Sequence, residues 1–562
     1  MSAPPAGTPS VGQRWVDRAP RPGLDFAGTA LGIAFFCLSL TPSLLPRPWY
    51  VQGIVSGVLS ATGYAIGVVL GWTARRLVRW PVYRPGPDAR QLAWRILGYG
   101  GGALSAVFLY QGSRWQRDIH VLMGQQPPAE FGYLGVPLAT VVIFAPLVGL
   151  ARGLRASARA AGRYLGRWIP AVAARVVGFV AVCALFVAIL QGVVANGLMA
   201  ATNAGWHWLN GQTEGGAAAP SAPELSGSPR SLVSWTSLGR WGREFVSSAP
   251  SVEQLRGFAG HPAEQPIRAY VGLQSAPTLR DQAALAVREL ERTGAFSRQV
   301  LCVITTTGTG LVDVRSLVPL EYMYAGDTAM VALQYSYLPS VISFVADRDR
   351  VRAASRELFD QVYARWLAVP AGRRPKLVVF GESLGSFGAE SVFSGADDLR
   401  DRTDGALFVG PPNASPLWGQ FIRDRDPGTG EVLPTYQHGD TVRFAGQPSD
   451  LSVPDTPWSP PRVVYLQHAS DPVVWWTPRL ILHKPDWLAD ARGRDVLPAM
   501  RWYPFVTFWQ LTADLMFSTK APPGHGHDYH GVEGIAAWAQ IVPPPGWSSE
   551  RTGALRVLLS GH

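Results

Sequence analysis

The stretch K-L-V-V-F-G-E-S-L-G-S-F-G, Lys376 to Gly388, decides how the rest of the chain is read. A short apolar run ends in Gly381, and Ser383 then stands between two small-residue positions. Gly381-Glu382-Ser383-Leu384-Gly385 has the form G-x-S-x-G, placed after a buried-strand pattern and before a small-residue helix start. Glycines lack a β-carbon, so strand and helix can meet there in a tight turn that projects a serine hydroxyl clear of a sheet. The same five residues also describe an ordinary strand-to-helix turn. What lies on either side decides between the two.

Upstream, P-I-R-A-Y-V-G-L (266–273) is strand-like, and Thr278–Thr293 places Leu279, Ala283, Val287 and Leu290 on one helical face. V-L-C-V-I-T-T (300–306) is a continuous apolar run of the kind a buried parallel strand needs. After T-G-T-G comes an expected helix, then the strand A-M-V-A-L-Q-Y-S-Y (329–337) and the amphipathic helix Asp347–Leu367. Downstream, G-A-L-F-V-G (405–410) and R-V-V-Y-L-Q (462–467) are further strands. Strands alternating with helices predict a mostly parallel, doubly wound α/β sheet with right-handed crossovers. Sites in such sheets form at the carboxyl ends of the strands.

A serine hydroxyl is a weak nucleophile without a base, and the base needs an orienting acid. In this architecture the acid follows a late strand and the histidine comes after it. Asp471 follows the strand 462–467 and is the expected acid, with Asp404 and Asp486 as weaker candidates. G-H-G-H-D-Y-H-G (524–531) offers His525, His527 and His530. His527 is favoured as base, His525 is the alternative, and His530 is expected to open a final helix at 532–540. His468 is read as a packed or solvated loop residue, with lining of the pocket as the alternative. One oxyanion donor should be the N–H of Leu384. The other should come from T-T-T-G-T-G (305–310), whose candidates are Thr306, Thr307 and Gly308. No G-K-[ST] follows that loop, so it is not a phosphate-binding P-loop. The histidines lack a matching ligand set elsewhere, so no metal and no cofactor is expected. Cys37, Cys183 and Cys302 form no disulfide or zinc pattern.

The 562 residues are 47% hydrophobic and 16% charged, with the apolar residues concentrated in the first 200. Those 200 hold 18 Arg against 5 Asp and Glu, net +13, whereas the remaining 32 basic and 35 acidic residues give −3. The positive charge therefore suits lipid headgroups beside a bilayer, not nucleic acid. Five segments are long enough to cross: Phe26–Leu45, Gly53–Trp72, Ala93–Gln111, Tyr133–Leu150 and Arg175–Met199. Pro42 and Pro46 predict a kinked or interfacial exit from the first. Trp49, Tyr50, Trp80, Trp94 and Trp115 flank the segments as interfacial aromatics. Arg14, Arg18 and Arg21 precede the first segment; Arg75, Arg76, Arg79, Arg84 and Arg90 follow the second; Arg152, Arg155, Arg159, Arg163 and Arg167 follow the fourth. Positive loops stay cytoplasmic, so the N-terminus is expected inside and everything after Met199 outside. The expected organisation is a cytoplasmic tail at 1–25, a transmembrane domain at 26–205, a flexible Gly/Ala/Pro/Ser linker at 206–230 and a catalytic domain at 231–562.

S-L-T-P-S-L-L-P-R (39–47), S-L-G-R-W-G-R-E-F-V (237–246), T-G-T-G (307–310), Y-A-G-D-T-A-M-V-A-L-Q-Y-S-Y-L-P-S (324–340), G-E-S-L-G-S-F-G and G-H-D-Y with the following A-W (526–538) together resemble one family. It is the bacterial, mainly actinobacterial, membrane-anchored α/β-hydrolase family, in which a multi-helix membrane domain precedes a hydrolase domain. The resemblance implies Ser383, Asp471 and the histidine of G-H-D-Y, His527, as the triad; the additional His525 departs from the pattern. The expected protein is a multi-pass cell-membrane serine hydrolase acting on an acyl ester, with a cell-envelope lipid as the candidate substrate. Trp235, Trp418, Trp475, Trp476, Trp502 and Trp509 are candidates for an apolar wall, although core packing accounts for most tryptophans. An acyltransferase would use the same triad, and a non-catalytic membrane scaffold or transport-associated protein is the other class.

Overall fold

In a computed structural model the chain is described over residues 23–77, 86–129, 132–189, 205–206, 208–213, 217–339, 343, 348–529 and 532–560. The tail arginines 14, 18 and 21, Arg79, Arg84, Trp80, the end of the fifth apolar segment (190–199) and His530 lie outside these residues. The chain divides into two compact units: Met1–Thr41, Trp49–Ser113 and Phe131–Leu150 in one, and Pro42–Pro48, Arg114–Glu130 and Ala151–His562 in the other.

Among the described residues five apolar helices come first: α1 (Phe26–Ser39), α2 (Trp49–Leu77), α3 (Pro87–Leu122), α4 (Val136–Leu165) and α5 (Ala171–Ile189). The last four are long and apolar enough to cross a membrane; α1, at 14 residues, is not by length alone. This corrects the expected first segment. Its last six residues, 40–45, leave the helix, because Pro42 and Pro46 remove amide donors. Within the first unit the helices meet at small residues. A β-carbon at Gly67 would lie 2.4 Å from the Ala27 carbonyl oxygen, and one at Gly53 would lie 2.3 Å from the Ala139 β-carbon. Such close approach is how helices associate where lipid removes the hydrophobic drive. Large apolar side chains on α3, such as Ile96, Tyr99, Val107 and Tyr110, are exposed. A surface like that suits hydrocarbon better than water.

In the second unit, seven parallel strands form one sheet in the order β1-β3-β2-β4-β5-β7-β6. They are β1 (Ile267–Val271), β2 (Val300–Thr305), β3 (Thr328–Leu333), β4 (Lys376–Glu382), β5 (Gly405–Val409), β6 (Val442–Ala445) and β7 (Arg462–Leu466). The crossover helices α6 (Leu279–Thr293), α7 (Val314–Met323) and α8 (Arg348–Leu367) link the first four strands, and the elbow helix α9 (Leu384–Glu390) follows β4. Late helices α10 (Val506–Leu515) and α11 (Glu533–Ile541) follow β7. The strands are buried along nearly their whole length, which accounts for their unbroken apolar runs. The Arg268–Glu321 pair, fully buried, clamps β1 to α7 through Nε–Oε1 at 2.7 Å and Nη2–Oε2 at 2.6 Å.

Several expectations change. β3 ends at Leu333, four residues before the expected 337. β6 has no sequence signal, because four residues around the polar Arg443 make too short a run. Its guanidinium stacks on Trp458 at 4.5 Å and donates to the Leu451 carbonyl. The linker is not free over its later half. Ser226 N–H donates to the Arg268 carbonyl at 3.0 Å and Arg268 N–H to the Glu224 carbonyl at 3.2 Å, so 224–226 lies against the edge of β1. A segment with little apolar surface is held here by the unpaired backbone of a sheet edge. Nor does the helix after the histidine cluster end the chain, since another spans Ser549–Ser560. Trp418 and Trp475 are buried in the core, their rings 6.1 Å apart.

Candidate active site

The three glycines of the quoted stretch are sterically required. A β-carbon at Gly381 would sit 2.5 Å from the Gly385 carbonyl oxygen, one at Gly385 2.3 Å from the Thr305 carbonyl oxygen, and one at Gly388 2.5 Å from Ser355 Oγ. No side chain fits at such separations, so β4, β2 and α9 close in only around glycine. Between them Ser383 takes φ 54° and ψ −123°, a backbone conformation that costs a non-glycine residue free energy and persists only where the surroundings impose it. Here the imposition is visible. Ser383 N–H donates to the Val409 carbonyl at 2.8 Å. The buried Ser386 hydroxyl lies 2.6 Å from the Gly381 carbonyl oxygen and accepts the Val409 N–H at 3.0 Å. Ser383 is half-buried at the carboxyl end of β4 and caps the N-terminus of α9.

Asp471 follows β7 and is fully buried. Its Oδ2 lies 2.7 Å from Nδ1 of His527 and accepts the Tyr529 hydroxyl at 2.8 Å, while Oδ1 accepts the Val473 N–H at 2.8 Å. With a carboxylate facing Nδ1, that nitrogen carries the proton and Nε2 is left as the basic one. The His527 ring reaches the carboxyl end of β5: a β-carbon at Gly410 would lie 2.5 Å from its Cε1. Since Ser383 is bonded to Val409, the residue before Gly410, serine and imidazole converge on the same strand end.

His525 goes elsewhere. Its Nδ1 is 3.5 Å from Oδ2 of the buried Asp495. That same oxygen accepts the Ser470 hydroxyl, and Ser470 Oγ accepts the Gly526 N–H at 2.8 Å. Burial alone would raise the Asp495 carboxyl, but hydrogen bonds from His525 and Ser470 outweigh it and hold the group below its ordinary value. The result is a buried bolt between the loop carrying Asp471 and the loop carrying His527. His468 completes it: Nδ1 is 2.9 Å from the Gly526 carbonyl, the ring stacks on Tyr529 at 4.1 Å, and burial lowers its pKa so that it stays neutral. Asp495, Ser470 and Tyr529 were not legible as site residues. Tyr529 lies inside the G-H-D-Y motif, but Asp495 falls in a long irregular stretch with no periodicity.

Of the expected oxyanion donors, Leu384 opens α9, where a first-turn N–H has no intrahelical acceptor. Thr306, Thr307 and Gly308 follow β2 against the elbow, through the Gly385–Thr305 contact above. The Thr307 N–H, however, donates to the Leu311 carbonyl at 3.0 Å and is taken up in closing its own loop. Thr306 is buried, with its hydroxyl donating to the Leu333 carbonyl. The weaker acid candidates lie apart from the pair. Asp404 accepts the Leu377 N–H at the opposite end of β4, and Asp486 pairs with Arg425 at 2.8 Å.

A cavity of about 620 Å³ opens beside the Asp471 loop, lined in part by Asn413, Glu431, Trp475, Arg479 and Lys484. Burial raises the Glu431 carboxyl to about 7. Among the described residues no group of three His, Cys, Asp or Glu is placed to hold a metal ion.

Compared with known proteins, residues 267–555 match a family described as the alpha/beta-hydrolase family, and residues 40–250 match one described as the alpha/beta-hydrolase family N-terminus. No curated protein and no solved structure matches the chain.

Proposed function

We propose that this chain, which belongs to the alpha/beta-hydrolase family, is a membrane-anchored serine hydrolase acting on an acyl ester. The observation that carries the reading is the 2.7 Å Asp471–His527 pair, set beside a serine held at positive φ on a glycine-framed turn. Ser383 Oγ attacks the ester carbonyl while His527 Nε2 takes its proton; Asp471 holds the Nδ1–H tautomer. The oxyanion is stabilised by the Leu384 N–H, the N-terminal end of α9 and a donor from the loop after β2. His527 then protonates the leaving alkoxide, and water opens the acyl-enzyme by the same route in reverse. No cofactor takes part. A cell-envelope lipid is the proposed substrate; the helices long and apolar enough to cross a membrane support a site beside acyl chains.

We also place the catalytic unit outside the cytoplasm. Leu44, Leu45, Ile119 and Met123 join the hydrophobic core that includes the sheet, so the links after α1 and after α3 share a side with the catalytic residues. Arg75 and Arg76 at the end of α2 and Arg155, Arg159 and Arg163 in the later part of α4 then belong to the other side, where positive charge is retained. The reading is tested with a fluorophosphonate probe on the full chain in native membranes. Wild type should be labelled and Ser383→Ala should not. A folded wild type that stays unlabelled would favour the scaffold class, and acyl transfer to an added alcohol would favour the transferase.

A further inference from the structure

The loop between α1 and α2, Pro42–Pro48, belongs to the catalytic unit although membrane helices bound it on both sides. Ser43, Leu44, Leu45 and Arg47 of this loop are buried in the unit. Arg47 is 2% exposed and Asp514 of α10 is 0% exposed, with Arg47 Nε 2.7 Å from Asp514 Oδ1. Arg47 Nη2 donates to the Gln510 carbonyl at 2.8 Å. The second Asp514 oxygen accepts the Ser43 hydroxyl and, at 3.2 Å, the Leu44 N–H. From the other side Gln116 accepts the Arg47 N–H at 2.8 Å. A buried charge pair is costly to desolvate and tolerable only when its remaining hydrogen-bonding capacity is met, as it is here.

A short path leads from this pair to the imidazole. The Asp514 carbonyl accepts the Phe517 N–H at 2.9 Å, and the carbonyl of the next residue, Ser518, accepts the His527 N–H at 2.9 Å. Beside it, Leu45 packs onto the preceding residue: a β-carbon at Gly526 would lie 3.2 Å from Leu45 Cδ2. Gly526 is also the residue bonded to Ser470 and His468. The backbone of His527 is therefore held from two directions, by the Asp495 bolt and by the membrane-side loop.

We propose that Pro42–Pro48 is a positioning element of the active site, in which Arg47 on Asp514 and Leu45 on Gly526 fix the backbone that carries His527. The acid–base half of the site is then complete only when this loop is seated against Asp514 and Gly526. Neither residue touches substrate. The role of His527 rests on the hydrolase reading above; the placement of the loop does not.

The experiment uses the full chain in native membranes or lipid nanodiscs. The double variant Arg47→Met/Asp514→Leu removes the pair without leaving a lone buried charge. Leu45→Ala loosens the Gly526 contact and keeps the pair. Arg268→Met/Glu321→Leu removes the other fully buried pair, which clamps β1 instead, and serves as the control for general destabilisation. Folding of each is checked by circular dichroism. Expected for the first two are a fluorophosphonate labelling rate at least tenfold below wild type, a fall in kcat with KM within twofold, and faster amide hydrogen exchange over 515–529. The control should keep the labelling rate within twofold. Labelling or exchange at wild-type level in a folded Arg47/Asp514 variant would overturn the proposal, as would an equal loss in the control. An unlabelled wild type would count against the hydrolase reading, and the exchange measurement would then decide the loop's role alone.

Discussion

Asp471 receives a ring nitrogen, a phenol and a backbone amide, and the partners can be removed singly. Asp471→Asn leaves the shape of the site but offers His527 an amide, which lets the wrong tautomer form. Ester hydrolysis should fall about 10⁴-fold. Tyr529→Phe removes one hydrogen bond to the carboxylate and should lower kcat roughly tenfold, since a bond to a charged group is worth about 1.5–3 kcal/mol. The two histidines separate most clearly. His527→Ala should abolish turnover, whereas His525→Ala should cost less than tenfold because its ring faces Asp495. Steady-state rates on a chromogenic ester check all four, and the reverse order for the histidines would make His525 the base. At this scale sequence could nominate Asp471 and His527 by position, one after a late strand and one near the end. It left His525 standing beside His527, because two residues of spacing do not say which ring meets which carboxylate.

The elbow is an element-scale object, and it was the most legible part of the molecule. Glycine at 381 and 385 can be read from sequence because the requirement is local, between β4 and the turn it feeds. The depth of the requirement at Gly385 was not readable, since the clashing atom is the Thr305 carbonyl of another strand. Gly385→Ala should destabilise the unit by about 1–3 kcal/mol through overpacking and slow fluorophosphonate labelling with it, measured by thermal unfolding and probe kinetics. At the far end of α9 sits Glu390, fully buried, whose Oε2 accepts the Trp418 N–H at 2.7 Å and the Tyr465 hydroxyl at 3.0 Å. Burial raises its carboxyl from the ordinary 4.5 to about 7. Between those values the folded state binds the extra proton, so stability falls as pH rises from about 4.5 to 7. The change is about 3 kcal/mol at full span. Glu390→Gln should flatten that slope in thermal unfolding scans from pH 5 to 8; an unchanged slope would place the titration elsewhere. Short or polar elements stayed hidden for an equally physical reason. β6 has four residues and an arginine in its middle, and its strand state comes from the neighbour it pairs with.

For the whole molecule the question is which side of a bilayer holds the site. In the proposed topology core packing puts Leu44 and Leu45 with the catalytic unit, and the arginine pattern then assigns that side as extracytoplasmic. A membrane-impermeant maleimide should label Arg230→Cys in intact cells and Arg90→Cys only after permeabilisation. Labelling in the opposite order would invert the orientation. Both positions are exposed, while Cys37 and Cys302 are buried and Cys183 is partly so. The length of α1 is the one feature that pulls against a five-crossing count. Its 14 residues rise about 21 Å, short of the roughly 30 Å hydrocarbon layer.

By itself the sequence determined the α/β architecture, the greasy helical first part and the serine turn. Each is written in local patterns of period, run length and glycine placement that neighbouring residues enforce on one another. Tertiary structure alone decided that Asp471 meets His527 while Asp495 meets His525. It also decided that 224–226 borders β1, and that the loop between α1 and α2 packs against Asp514. Those pairings join residues up to 471 positions apart. They form because a buried charge or edge amide must find a partner somewhere in the folded chain, and no short stretch of sequence says where.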